Sequence, residues 1–304
     1  MTSSVRVQTF LNFASIYFIW GSTYLAIKYG LVAFPPLLLA GLRFVLASGL
    51  LFGIARLRGE PAMTRADLKL AGLSGTLLVI GNAGVCVAEG SLPSGLVAVV
   101  IGSMPAWITF LNARFFGGPR PRPRQIAGIA LALVGIVLLT RAQPGEGGRF
   151  DPLAWGALAI SIVSWAFGTL FQRRASGASG LFSFSGAQMG IGGVAVLVAW
   201  LATGEVASFR FAAVDATSVL SLFYLAIFGT VVAFTSYLWL NRHVDATLVS
   251  TYALVNPVVA IWLGWFVASE NVSPSTFTFS LFVLAGIALV MGRPPAPKPT
   301  RVPS

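Results

Sequence analysis

The sequence predicts an all-α integral membrane protein: ten transmembrane helices as two inverted five-helix repeats, with the N- and C-termini cytoplasmic. Three observations lead there: an apolar composition, ten apolar runs of spanning length, and landmarks that recur halfway along the chain. Of 304 residues, 56% are hydrophobic and 10% are charged, with a mean hydropathy of +0.84. A soluble domain carries roughly a quarter charged residues. A chain this apolar cannot cover a surface in water, so the bilayer must be its solvent.

The apolar runs lie at 10–29, 36–55, 70–88, 93–116, 125–141, 153–172, 181–202, 216–239, 246–268 and 276–292. Each approaches the ~17–25 residues a helix needs to cross the hydrocarbon. Turn-forming clusters separate them, among them Phe34-Pro35-Pro36, Arg58-Gly59-Glu60-Pro61, Gly117-Gly118-Pro119 and Val272-Ser273-Pro274. The expected organisation is a cytoplasmic segment at 1–9, a first repeat at 10–141, a linker at 142–152, a second repeat at 153–292 and a cytoplasmic tail at 293–304. The tail is Pro-rich and expected to be disordered. The first run is long and no small-residue cleavage site follows a short core, so no cleavable signal is expected.

The net charge of +11 does not point to nucleic acid, because the basic residues sit in short loops between apolar runs. With the N-terminus inside, fifteen Lys and Arg fall on the inner side and four (Lys28, Arg141, Arg149, Arg210) on the outer, leaving Arg43 within a span. That asymmetry places both termini in the cytoplasm.

The halves share landmarks. Trp20-Gly21-Ser22-Thr23 leads to Lys28, and Trp165-Ala166-Phe167-Gly168 leads to Arg173, both offset by 145. Ser94 to Pro105 matches Ala246 to Pro257 at an offset of 152, and Gly135-Ile136 matches Gly286-Ile287 at 151. An odd number of spans per half makes the second half enter from the opposite side. The resulting inverted repeat is the architecture of many secondary transporters.

Together, Trp20-Gly21-Ser22-Thr23-Tyr24 with Lys28, Ala40-Gly41-Leu42-Arg43-Phe44, Gly81-Asn82, Ala88-Glu89, Pro93-Ser94-Gly95, Ser164-Trp165-Ala166-Phe167-Gly168 and Val255-Asn256-Pro257 resemble the EamA branch of the drug/metabolite transporter superfamily. The resemblance runs from about residue 12 to 292. It implies a ten-helix inner-membrane protein whose spans 1–4 and 6–9 surround a central cavity, with spans 5 and 10 peripheral. It also implies export of amino acids or similar metabolites.

The nine acids all lie in loops or at helix ends, which argues against a carboxylate proton relay at the midplane. Arg43 is the exception among ionisable groups. Burying it costs at least ~2.5–3.5 kcal/mol on insertion scales, so it needs a partner. Glu89, at the outer end of span 3, is the acid expected to pair with it, either as part of an outer gate or as a packing device. Lys28 is expected to snorkel to the interface. Pro105 and Pro257 each free a backbone carbonyl within a span, as gates or hinges facing a wet cavity or as packing kinks. Asn82, Gln188 and Asn256 either bridge helices or meet a substrate's polar end. Trp20, Trp165 and Tyr252 lie well inside spans and suit a ligand with an apolar or aromatic side chain, whereas Tyr237, Trp239 and Trp107 read as interfacial belt residues. The candidate cavity set is therefore Trp20, Thr23, Tyr24, Asn82, Met104, Trp165, Gln188, Tyr252 and Asn256. Gly186 and Gly190 form a GxxxG that permits close helix approach.

The expected function is a secondary exporter of small metabolites, amino acids including apolar and aromatic ones, working by alternating access. The alternative is efflux of drugs or cationic compounds, which the missing midplane acid disfavours. An enzyme is less consistent with the residues. His243 stands beside Asp245 without HExxH, GxSxG or a Cys–His set, and the lone Cys86 implies no disulfide. No GxxxxGK[ST] loop supports ATP-driven pumping. The expected partners are a small-molecule substrate and the lipid bilayer, with no nucleic acid, cofactor or metal, in a monomer or homodimer.

Overall fold

The computed structural model describes residues 3–142, 151–175, 179–244, 249, 251–270 and 273–291. Most of the expected linker, Asp245, the start of the ninth run and the basic tail lie outside the described residues. Helices make up nearly all of the rest, with no strand among the described residues. They are α1 (3–30), α2 (Pro36–Leu57), α3 (Arg65–Glu89), α4 (Ser94–Phe115), α5 (Pro123–Ala142), α6 (Pro152–Gln172), α7 (Leu181–Ala202), α8 (216–243), α9 (Tyr252–Ala268) and α10 (Pro274–Met291). Seven are long and apolar enough to cross a membrane: α1, α2, α3, α4, α6, α7 and α8. The apolar stretches of α5, α9 and α10 are shorter, at Pro123–Leu139, Tyr252–Ala268 and Pro274–Val290.

The helix ends follow from local chemistry. Pro36 opens α2 at a position where no N–H is needed. Thr64 caps α3 by accepting from Asp67 N, and Asp151 caps α6 by accepting from Leu153 N and Ala154 N. Asp215 and Ser218 form a capping box on α8. Two carboxylates cap across the molecule instead. Glu60, after α2, accepts from Phe182 N at 3.1 Å and Ser183 N at 2.8 Å at the start of α7. Glu205, after α7, accepts from Leu37 N at 3.1 Å at the start of α2. Each helix is thus closed by the loop that follows its counterpart in the other half.

The two caps titrate in opposite directions. Burial opposes the charge on Glu60, but the donors of Ser183 and Phe182 outweigh it and hold the carboxyl below its ordinary 4.5. Glu205 is pushed up by burial, which its bond from Leu37 does not offset. Because the folded value of Glu60 is depressed, its contribution to stability is present above pH 4.5 and is lost as the pH falls through that depressed value. Glu60→Gln should therefore flatten the acid limb of the thermal unfolding midpoint measured in detergent. Identical acid limbs for both proteins would overturn this assignment.

The main helix contacts have a simple rule. α3 packs on α6 and α7, α8 on α1 and α2, α4 on α6 and α9, α9 on α1, α2 on α7, and α5 on α10. Replacing each helix by the one five places along maps this set onto itself, whereas the lesser α2–α3 and α4–α10 contacts have no counterpart of similar extent among the described residues. Local geometry does not share the rule. At the α3–α6 contact the helices approach closely: Gly81 faces the Ser161 carbonyl, Gly84 the Ala157 carbonyl and Gly168 the Ser74 carbonyl. The equivalent pair, α1 and α8, carries π-helical turns at Ser15–Ile19 and Leu225–Val232. These widen the backbone and turn carbonyls outward.

The two prolines also differ. Pro105 follows a break in α4, which runs as Ser94–Gly102 and Met104–Phe115, whereas Pro257 sits inside an unbroken α9. Gly102 and Ser103 weaken the helix where Pro105 removes its bond; Val255 and Asn256 do not. The Ala253 carbonyl, four residues before Pro257, lies against Gly102 of α4, so there the freed group meets a packed neighbour. Gly186 and Gly190 face Phe52 and Ser48 of α2, placing the GxxxG at the α2–α7 contact.

Candidate functional site

A central cavity of about 90 Å³ lies where α1–α4 meet α6–α9. That is room for several waters or the body of a small solute. α5 and α10 contribute none of its described lining. Of the sequence-based candidates, Trp20, Thr23, Tyr24, Asn82, Met104, Trp165, Tyr252 and Asn256 line it together, as does Arg43. Phe44, Phe234 and Met189 complete a largely apolar wall.

The π turns explain much of the arrangement. In α8 the turn presents two carbonyls to the neighbouring helices. Trp20 Nε1 donates to Gly229 O at 3.0 Å, and Arg43 Nε donates to Leu225 O at 3.1 Å and Thr230 Oγ1 at 3.0 Å. In α1 the corresponding device is Asn256. With its amide nitrogen turned toward α1, it donates to Ile16 O and Tyr17 O, each at 3.1 Å. Backbone irregularity inside a membrane protein is tolerated where side chains satisfy the freed groups. Both π turns meet that condition. Trp20 also packs against Tyr237 and Tyr252, at ring-centroid distances of 5.2 and 5.1 Å.

Two expectations are corrected. Gln188 does not reach the cavity: it is fully buried, and its Nε2 donates to Ser74 Oγ and Gln172 Oε1, both at 2.9 Å. It bridges α3, α6 and α7. Arg43 does not pair with Glu89. Its Nη1 donates to Asn82 Oδ1 at 3.1 Å, and Glu89 lies seven residues further along α3, about 10 Å away along the axis. Both Glu89 oxygens are buried without a hydrogen-bond partner among the described residues. Tyr237 packs in the aromatic cluster around Trp20.

An ion pair was missed from the sequence. Lys28 Nζ lies 2.7 Å from Glu270 Oε1, and the same carboxylate accepts from Ser94 N at 3.2 Å and Ser94 Oγ at 3.0 Å. It ties together one end of α1, α4 and α9. The signal was available: charge counting puts Lys28 and Glu270 on the same side, at the ends of spans 1 and 9. His243 is held locally, stacked on Trp239 with its Nδ1 at 2.8 Å from the Trp239 carbonyl.

Comparison with known proteins gives a consistent identity. The chain matches the EamA-like transporter family over residues 10–141 and again over 154–292. It is 36% identical over 285 residues to the uncharacterized inner membrane transporter YedA of Escherichia coli K12, covering 92% of this chain and 89% of that protein. A probable amino-acid metabolite efflux pump of the same organism is 27% identical, covering 88% of this chain and 90% of the pump. A solved crystal structure, 19% identical, aligns with a TM-score of 0.64 over 93% of this chain and 97% of its own, and so shares the fold. The protein is a multi-pass protein of the inner membrane. With both halves matched and a cavity between them, the chain belongs to the EamA-like transporter family.

Proposed function

We propose that this transporter is a secondary exporter of small metabolites, amino acids with apolar or aromatic side chains among them, that works by alternating access through the central cavity. All ten helices then cross the bilayer, as inverted repeats at 10–141 and 153–292, with both termini cytoplasmic, in a monomer or homodimer. The observation that carries this reading is the cavity itself: its described lining draws on both halves and includes no residue of α5 or α10. The exchange of contacts on shifting by five helices supports the repeat. The name of the 27%-identical relative, an amino-acid metabolite efflux pump, supports the cargo. The Lys28–Glu270 pair closes one end of α1, α4 and α9, as an outer gate would.

The test is uptake into liposomes holding the purified protein, with labelled amino acids, nucleosides and a cationic dye, each with and without a proton gradient. Saturable amino-acid flux that falls at least about tenfold in Trp165→Ala is expected, since a cavity ring contributes contact that no neighbour replaces. Gradient-driven dye movement without amino-acid flux would transfer the protein to the drug-efflux class.

A further inference from the structure

Arg43 is the one charged residue in the described lining of the cavity. It is buried to 4% exposure, and its guanidinium is held by α3 and α8. Nε is shared between Leu225 O and Thr230 Oγ1, and Nη1 meets Asn82 Oδ1. Nη2 has no hydrogen-bond partner among the described residues. It lies beside Gly229, where an added Cβ would stand 3.0 Å from it and 2.9 Å from Thr23 Cγ2, so the absence of a side chain at 229 leaves Nη2 uncovered on that side. A guanidinium fixed in this way presents a pre-oriented pair of N–H groups, the geometry suited to a carboxylate. Among the described residues no acid lines the cavity to receive an ammonium group. Trp20, Tyr24, Phe44 and Phe234 line the same cavity, surfaces for an apolar body.

We propose that Arg43 is the anion anchor of the cavity, and that cargo is recognised as a carboxylate carrying an apolar or aromatic body, with no ammonium group required. The proposal rests on the reading of this cavity as the substrate site. An amino acid is then held by its carboxylate and side chain. A monocarboxylic acid of the same shape is held nearly as well.

The test uses the unaltered protein in liposomes and four probes of one shape: phenylalanine, 3-phenylpropanoate, phenylalaninamide and phenethylamine. Each competes against labelled phenylalanine. The expected result is competition by 3-phenylpropanoate within about threefold of phenylalanine. Phenylalaninamide and phenethylamine should be weaker by about tenfold to a hundredfold, the value of a charge-assisted hydrogen bond. Gly229→Ala, which sets a methyl 3.0 Å from Nη2 and 2.9 Å from Thr23 Cγ2 but keeps the carbonyl that Trp20 uses, should weaken both carboxylates more than phenylalaninamide and phenethylamine, a selective loss that a general disturbance of the fold would not give. Competition by phenylalaninamide equal to that of phenylalanine, or failure of 3-phenylpropanoate, overturns the anchor and leaves the exporter reading standing. Flux of nucleosides or cationic dye with no phenylalanine flux overturns both.

Discussion

Gly84→Leu is expected to destabilise the protein by about 3 kcal/mol or more, enough to lower the unfolding midpoint in detergent by several degrees. On α3, a Cβ at Gly84 would stand 2.5 Å from the Ala157 carbonyl and 3.0 Å from Ser161 Cβ. A backbone carbonyl of a neighbouring helix cannot swing aside as a side chain does, so α3 and α6 must separate. The higher helix propensity of leucine, under 1 kcal/mol, does not offset this. Gly156→Leu on α6 is the control: nothing lies within 4 Å of its added Cβ, and its midpoint should hold or rise. Equal midpoints for the two variants would mean that the close α3–α6 approach is not a source of stability.

Trp20→Ala carries the next largest effect. It removes a ring packed on Tyr237 and Tyr252 and the donor to Gly229 O. Truncating a tryptophan in a packed setting costs about 3–5 kcal/mol, and the vacated wall of the cavity should reduce flux as well. Trp20→Phe separates the contributions. It keeps most of the ring contact and loses the hydrogen bond, worth about 1 kcal/mol between membrane helices. A Phe variant as damaged as the Ala variant would show that the π turn of α8, rather than ring packing, depends on Trp20.

Much of the architecture is legible from residue order. The apolar runs end where Pro35-Pro36, Gly59, Asp151 and Asp215 stand, because those residues set backbone geometry or cap N–H groups without help from distant parts of the chain. Seven of the runs meet the spanning criterion in the structure, and the other three are present as shorter apolar helices. Eight of nine cavity candidates meet at one cavity, in keeping with the cost of leaving polar groups of an apolar span facing lipid. Gln188 has the same character but satisfies itself between helices. Its facing direction cannot be read from α7, which is apolar on every side.

By itself, then, the sequence determined the membrane class, the order of the helices and the internal repeat. These depend on composition and on contacts a few residues apart. Only the tertiary structure decided which helices neighbour one another, and with that the partners of the ionisable groups. Arg43 and Glu89 looked matched because both belong to the outer half of adjacent spans. Lys28 and Glu270, 242 residues apart, looked unrelated. The α8 π turn brings the Leu225 carbonyl to Arg43, and the end of α9 brings Glu270 to Lys28. In a low-dielectric interior a charge takes whichever donor or acceptor packing puts within reach, and packing is the quantity that an apolar sequence conceals.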